Sequence, residues 1–383
     1  MSDHSVDDQF LRRALDLTRQ CIGLASPNPC VGALIVNAQG TIVGTGSYTY
    51  KGVKHAEIQA LEEAGAKARG ATLYINLEPH GHHGRTPPCT DALIEAGIYR
   101  VVASMPDPNP LVSGRGFEAL RAAGVRVEVG RLQNDARRLN EAFARYIRHR
   151  VPFVTLKSAM TLDGKIAPAA AEGSRQSDGV PPGGWITGEA ARAHVQGQRH
   201  ASDAILAGVG TILADDPLLT DRSGRARRRA LLRVILDSHL RLPLRSRLVQ
   251  SVADRDGNCD VLVFYSSADD KQKSELQARG VRVQQVPADA SGRPDIEAVL
   301  RYLGELEITS LIIEGGSTVN GMALASGLVD KVFLYYASTI LGESAVPFAS
   351  GAGFEPLRVR NVHLHRFDQD FAVEAYLRDP YEE

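Results

Sequence analysis

The stretch TLYINLEPHGHHGRTPPCTDALIEAGIYRVV, residues 72–102, decides the fold. Its opening, within ATLYINLEP (71–79), reads as a strand that ends in a loop. TDALIEAG (90–97) follows as a short helix closed by Gly97, and RVVAS (100–104) begins a second strand. Strand, helix, strand is the repeating unit of an α/β layered sheet.

The same alternation extends outward. Residues 7–21 (DDQFLRRALDLTRQC) place Phe10, Leu11, Ala14 and Leu15 at helical spacing, with acids in the first turn. VGALIV (31–36) and TIVGTG (41–46) flank NAQG, which predicts a hairpin, and HAEIQALEEAGAKA (55–68) predicts a helix. Downstream come a helix at 114–124, a strand at 125–130 and a basic helix at 134–150 that stops before Val151-Pro152. The domain boundary is placed there, giving domains of 1–150 and 151–383. After Pro152 seven strands are expected, at 153–159, 202–208, 232–238, 259–265, 281–286, 310–316 and 331–338, within one sheet-centred domain. The Ala/Gly/Pro/Ser-rich stretch 167–184 reads as a long loop. RSGRARRR (222–229), with five arginines in eight positions, reads as a solvated loop.

Composition narrows the function. The chain has 383 residues, and 44 Lys and Arg balance 45 Asp and Glu. That balance argues against affinity built on neutralising a nucleic-acid backbone, but not against a local pocket for one phosphate. No apolar run approaches the roughly 18 residues of a membrane span, and the acidic start MSDHSVDD lacks the basic opening of a signal peptide. Four cysteines suit a reducing compartment, so a cytoplasmic protein is expected.

Two helix starts carry the chemistry of the first domain. His55 and Glu57 open one helix; Cys89, after two prolines, opens another; the loop between holds His80, His82 and His83. A helix N-terminus favours an anionic thiolate, the form that binds metal. His55, Cys89 and one loop histidine would give zinc three protein ligands and leave a fourth position for water. Such a metal lowers the pKa of that water toward about 7. Glu57 could take the proton and pass it to a leaving amine. H-A-E opening one helix and P-C opening the next is the layout of zinc deaminases.

With SPNPCVGALIV (26–36) and HAE (55–57), residues 72–102 resemble the deaminase half of the bifunctional riboflavin biosynthesis protein family, which fuses a pyrimidine deaminase to a pyrimidine reductase. The likeness continues through LKSAMTLDGKIA (156–167), WITG (185–188), DAILAGVGTILADDPLLT (203–220) and EGGSTVNGMAL (314–324), and so spans nearly the whole chain. It implies a cytidine-deaminase-like layered sheet followed by a dihydrofolate-reductase-like α/β domain, with one zinc ion and NADPH as cofactors. The implied substrate is a small phosphorylated pyrimidine, with neither nucleic acid nor membrane as partner, and the implied assembly is a homo-oligomer, a dimer.

By that resemblance the metal ligands are His55, His80 and Cys89, and Glu57 is the proton carrier. The family usually has Cys where this chain has His80. The exchange replaces an anion by a neutral ligand, which raises the site's charge by one unit and should make bound water more acidic. An imidazole also reaches further than a thiol, so His82 and His83 stay open as the third ligand. Asn28 would hold the pyrimidine and Arg85 its phosphate.

No G-x-G-x-x-G follows a strand in residues 151–383, so an ordinary dinucleotide fingerprint is missing. EGGSTVNG does follow a strand and precede a helical stretch, and amides at such a helix start can receive a phosphate. The resemblance implies that Ala159, Trp185, Thr187, Thr211, Asp215, Ser238, Gly316, Ser317, Thr318, Val319, Asn320, Gly321 and Met322 line the cofactor. Gly183, Arg199, Leu219, Arg222 and Glu314 would hold the substrate, with Gly183 where the family often has Ser. Lys157 and Asp215 are candidates for placing charge near the reacting ribose carbon. The competing expectation is a reductase alone, its deaminase site decayed at His80.

Overall fold

The computed structural model describes residues 3–81, 87–169, 185–252, 254–255, 258–351 and 353–382. It divides into two compact units, Met1–Arg150 with Ala226–Arg229, and Val151–Arg225 with Ala230–Glu383. Among the described residues no helix is long and apolar enough to cross a membrane.

The first unit runs α1 (Asp3–Arg19), β1 (Gly32–Val36), β2 (Ile42–Ser47), α2 (Ala56–Ala64), β3 (Thr72–Ile75), α3 (Cys89–Glu95), β4 (Arg100–Ala103), α4 (Arg115–Ala122), β5 (Arg126–Val129) and α5 (Gln133–His149). Its sheet has the order β2-β1-β3-β4-β5. The hairpin pair and β1-β3 are antiparallel; β3-β4 and β4-β5 are parallel. Alternate residues of a strand point to opposite faces, and both faces here are apolar. Ala33, Ile35, Leu73, Ile75 and Val101 pack with Ala56 and Ala60 of α2, Leu93 of α3 and Leu120 of α4. Leu34, Val36, Tyr74 and Val102 meet Leu11 and Ala14 of α1 on the other side. Burying each Leu or Ile contributes roughly 1.5–3 kcal/mol.

Two glycines set the spacing of β2 and α2. A Cβ on Gly44 would lie 2.0 Å from the carbonyl oxygen of Ala60, and one on Gly46 would lie 2.0 Å from that of Ala56. The helix that begins at the H-A-E motif therefore rests on strand backbone.

The second unit runs β6 (Phe153–Thr161), β7 (Lys165–Ala167), α6 (Glu189–Ala201), β8 (Ala204–Gly208), α7 (Val209–Asp215), β9 (Leu232–Leu236), α8 (Arg247–Gln250), β10 (Asp254–Arg255), β11 (Asn258–Cys259), β12 (Val261–Tyr265), α9 (Asp270–Gln277), β13 (Arg282–Gln285), α10 (Ile296–Glu305), β14 (Ser310–Ile313), α11 (Ser317–Ala325), β15 (Lys331–Ala337), β16 (Val346–Pro347), β17 (Arg360–Phe367) and β18 (Asp370–Tyr376). The main sheet has nine strands in the order β13-β12-β9-β8-β14-β6-β15-β18-β17. It is parallel from β13 to β15, then antiparallel through β18 and β17. Val234, Phe264 and Ile313 face α10 and α11 on one side, while Ile205, Ile235 and Ile312 face Val209, Leu248 and Leu276 on the other.

The expectation of seven strands is corrected to nine in this sheet, with the short pairs β7-β16 and β10-β11 beside it. The hairpin β17-β18 hides from a pattern reading for a physical reason. β17 is an edge strand exposed along most of its length. β18 turns Asp370 and Glu374 inward, where a strand reading looks for apolar residues. Of the long loop expected at 167–184, residues 170–184 lie outside the described residues.

Candidate active sites

In the first unit, His55 is the N-cap of α2, Glu57 stands in that helix's first turn, and Cys89 is the first residue of α3. Both helices pack on the same face of the sheet, which brings their starts together. The loop after β3 adds His80, whose carbonyl accepts a hydrogen bond from the Thr90 amide at 3.2 Å. The ligand atoms of His55, His80 and Cys89 all lie within 4.8 Å of one another. His55 Nδ1 is 3.1 Å from Cys89 Sγ, and the two imidazole rings meet edge-on with centroids 5.2 Å apart. His82, His83 and Arg85 lie outside the described residues.

The electrostatics correct one expectation. Burial pushes the Cys89 thiol up, and the Glu57 carboxylate beside it pushes further in the same direction. A thiol in that setting needs a cation to become a thiolate, and a coordinating metal supplies one. Two imidazoles and a thiol are the donors zinc takes, and three ligands leave the fourth place open. The set fits a catalytic zinc, with Glu57 only 3% exposed beside it.

Asn28 is exposed on the loop before β1 and donates from Nδ2 to Tyr48 Oη at 2.5 Å. The Tyr48 ring lies edge-on to His55, with centroids 5.8 Å apart. Asn28 is thus one side chain removed from the ligand cluster. Part of the arginine run belongs to this unit and is not a solvated loop. Arg228 donates to the Ser26 carbonyl at 2.6 Å, and its guanidinium lies 3.6 Å from the Tyr50 ring centroid. Glu78, which the sequence reading passed over, is buried and accepts from the amides of Asp107, Gly114 and Gly116 at 3.0, 2.9 and 2.8 Å. It pins the segment after β4. Burial, with Glu78 nearby, pushes the Asp107 carboxyl up to about 6.

In the second unit, Glu314 follows β14 and accepts two hydrogen bonds from Arg199 of α6, at 2.7 and 2.9 Å. Lys157 of β6 approaches the same carboxylate at 3.5 Å. Burial alone would raise Glu314, yet the Lys157 and Arg199 charges hold it down at about 2. Arg199 also donates to the Thr220 carbonyl at 3.0 Å. Arg199 and Glu314, expected to hold substrate separately, are therefore bonded to each other. Leu219 is buried in the left-handed region at φ 53°, an uncommon conformation for a residue with a side chain. Arg222 is exposed, its amide bonded to Gln196 Oε1 at 2.8 Å. Gly183 lies outside the described residues.

A cavity of about 320 Å³ opens at the starts of α7 and α11, lined by Gly208–Thr211, Leu236, Ser238, Gly316–Val319 and Met322, together with Arg241, Arg293 and Pro294. It is at the small end of ligand pockets, which run roughly 300–1,000 Å³. It gathers Thr211, Ser238, Gly316, Ser317, Thr318, Val319 and Met322 from the expected cofactor set. One of its glycines is required by packing: a Cβ on Gly208 would lie 2.8 Å from Val319 Cγ2. Gly316 caps α11 without a side-chain hydrogen bond, so the helix's first amides are open to an anion. These features fit a phosphate-bearing cofactor.

The remaining expected residues are not among the residues that line this cavity. Ala159 pairs with Tyr335 inside the sheet. Trp185 is half exposed, with the Arg192 guanidinium 5.4 Å from its ring. Thr187 is buried and Asp215 is exposed at the end of α7. Asn320 donates to the Phe348 carbonyl at 2.8 Å, and Gly321 lies against the Ser350 backbone. Arg241 and Arg293 were not anticipated, since neither sits in a motif; each follows a turn that only the folded sheet brings to the cavity.

Residues 152–373 match the family model of the RibD C-terminal domain, and residues 4–105 match the cytidine and deoxycytidylate deaminase zinc-binding region. The riboflavin biosynthesis protein RibD of Actinobacillus pleuropneumoniae is 43% identical over 88% of this chain and 85% of its own length. That of Escherichia coli is 38% identical over 92% of this chain and 93% of its own. Among solved structures, Acinetobacter baumannii RibD superposes with a TM-score of 0.81 at 34% identity, covering 97% of this chain and 99% of that one. A Thermotoga maritima diaminohydroxyphosphoribosylaminopyrimidine deaminase/5-amino-6-(5-phosphoribosylamino)uracil reductase gives 0.78 at 37% identity, covering 97% and 99%.

Proposed function

The chain belongs to the RibD family of riboflavin biosynthesis proteins, and on that premise we propose how its residues divide the work. It is a bifunctional enzyme, a zinc-dependent deaminase joined to an NADPH-dependent reductase. We draw the boundary between the two at Arg150 and Val151. The first site removes the C2 amine of 2,5-diamino-6-ribosylamino-4(3H)-pyrimidinone 5′-phosphate by hydrolysis. The second reduces the ribosyl side chain of the product to a ribityl chain.

His55, His80 and Cys89 hold the metal, and Asn28 holds the pyrimidine edge. Zinc, when bound, supplies a water acidified toward a pKa of about 7. Glu57 accepts that water's proton and returns it to the departing ammonia. Its burial keeps bulk water from taking over the transfer. In the second site NADPH supplies the hydride. Lys157, Arg199 and Glu314 hold fixed charge for the sugar, and the start of α11 holds cofactor phosphate. Four cysteines, none in a disulfide, support a reducing, cytoplasmic setting. A homodimer completes the reading by family likeness.

The observation that carries the proposal is the approach of His55, His80 and Cys89 to within 4.8 Å beside a buried Glu57. The test follows ammonia release and NADPH oxidation separately on the pyrimidine substrate, with zinc measured per chain. Both activities and about one zinc per chain are expected. NADPH oxidation with neither ammonia nor zinc would leave a reductase alone.

A further inference from the structure

We infer that Cys21 and Cys30 form a peroxide-modification site, in which the two thiols become a reversible disulfide that shifts the loop carrying Asn28. The thiol pair stands apart from the deaminase reading; its effect on activity rests on that reading.

Cys21 follows α1 and Cys30 stands just before β1, at the two ends of loop 22–29. Cys21 is fully buried, whereas Cys30 is only partly so. Both pack in one small cluster with Ala25 and Tyr48. Cys21 Sγ lies 3.3 Å from the carbonyl oxygen of Val31, the neighbour of Cys30. The Cys30 thiol is hydrogen-bonded to the Cys21 sulfur. That bond, joined by backbone groups of Val31 and Tyr48, brings the Cys21 thiol below its ordinary value against the pull of burial. Burial and Glu57 move the Cys89 thiol the opposite way. Thiolate character is what makes a cysteine sulfur reactive.

The backbone holds the two sulfurs face to face. The Cys30 amide donates to Asn140 Oδ1 at 2.8 Å, and its carbonyl accepts from Asn76 Nδ2 and Asn140 Nδ2, each at 3.0 Å. The Cys21 carbonyl accepts from the amides of Leu24 and Ala25 at 2.9 and 3.0 Å. A disulfide forms where side chains already point at each other across a short gap. In a reducing compartment such a bond is transient and redox-sensing rather than structural.

The oxidant is a peroxide, which reaches the partly exposed Cys30 first. The Cys30 sulfur attacks one peroxide oxygen; an S–O bond forms, the O–O bond breaks, and hydroxide leaves a sulfenic acid. The Cys21 sulfur then attacks the Cys30 sulfur; the S–S bond forms, the S–O bond breaks, and a second hydroxide leaves. The two thiol protons convert both hydroxides to water. Each sulfur gives up one electron, and the peroxide takes two. The new bond is shorter than the hydrogen bond it replaces, so it draws the loop ends together. Asn76 and Asn140 are buried and hold the Cys30 end, so the displacement falls on loop 22–29. That loop carries Asn28, whose amide donates to the Ala25 carbonyl at 3.0 Å and whose side chain bonds Tyr48.

The experiment treats the full zinc-loaded chain with hydrogen peroxide, blocks remaining thiols, and maps peptides without reduction. Wild type, Cys21→Ala and Cys30→Ser are compared for cross-linking, zinc content, ammonia release and NADPH oxidation. A peptide joining Cys21 to Cys30 is expected in the wild type alone, and Cys21→Ala should leave a sulfenic acid on Cys30 that dimedone traps. Ammonia release by the oxidised wild type should fall about tenfold, since a misplacement of about 1 Å at a positioning group can cost up to about 10²-fold. Dithiothreitol should restore it, with zinc content and NADPH oxidation unchanged throughout, and Cys30→Ser should resist the treatment. A cross-link between other cysteines, or none, overturns the site. A Cys21–Cys30 cross-link with ammonia release unchanged overturns the loop shift, as does equal inactivation of Cys30→Ser with loss of zinc, which would place the damage at Cys89. A wild-type chain that releases no ammonia before oxidation overturns the deaminase reading and the effect on activity, and the cross-link still decides the thiol pair.

Discussion

His55 Nδ1 and Cys89 Sγ lie 3.1 Å apart although 34 positions separate them in the chain. Two helix starts meeting over one face of a sheet create that proximity, and Glu57, two residues along α2, shares it. The consequences for activity can be tested one side chain at a time.

Glu57→Gln keeps the size of the side chain and removes its basicity. Ammonia release should fall by about 10²–10⁴-fold, the usual worth of a positioned acid–base group. Reduction of already deaminated substrate by NADPH should be unaffected, and zinc content should stay at the wild-type level. Assaying the two half-reactions on one preparation checks all three.

The third ligand can be decided by metal analysis. His80→Ala should release the metal and abolish deamination, while His80→Cys should retain it, since a thiolate satisfies the same position. His82→Ala should leave zinc content unchanged. Loss of zinc in that variant and not in His80→Ala would move the ligand along the loop.

Metal removal should separate the two activities. Without a cation the buried Cys89 thiol stays protonated, because burial and Glu57 both hold it up. Dialysis against a strong chelator should stop ammonia release and spare NADPH oxidation, and added zinc should restore the former. A chelated enzyme that still releases ammonia would contradict a metal-dependent first step.

The Glu314 cluster predicts a pH dependence of stability. Lys157 and Arg199 hold this carboxyl at about 2, below its ordinary value of 4.5. A depressed carboxyl stabilises the folded state above its unfolded pKa, and the contribution drains away as pH falls toward the folded value. Urea unfolding of wild type and Glu314→Gln should therefore differ most at neutral pH, by on the order of 3 kcal/mol for a buried pair losing one partner. The gap should narrow between pH 4.5 and about 2. A gap that widens in acid would refute the assignment.

Much of this arrangement can be read from the chain alone. H-A-E and P-P-C announce two helix starts, and the alternation around 72–102 announces the layers that bring them together. What stays hidden depends on partners distant in sequence. The Arg199–Glu314 bond joins residues 115 apart, so each looks like an unpaired charge until the sheet forms. Arg241 and Arg293 look like surface arginines between leucines and in a Ser-Gly turn. Cys89 looks like an activated thiolate until the depth of its burial and its neighbour Glu57 are known. β17 shows no pattern because an edge strand facing solvent has little apolar surface to repeat.

Gly44 and Gly46 have a further effect. With no side chain at either position, main chain bears directly on main chain, and the seam between strand and helix has no compressible filler. The depth at which the proton carrier sits is fixed by the direct seating of one main chain on the other, like a shaft on a shoulder. Loops around the mouth are free to drift in sequence and retune which ring enters. A single methyl at the shoulder would lever the whole shaft outward and carry the base away from the atom it must reach.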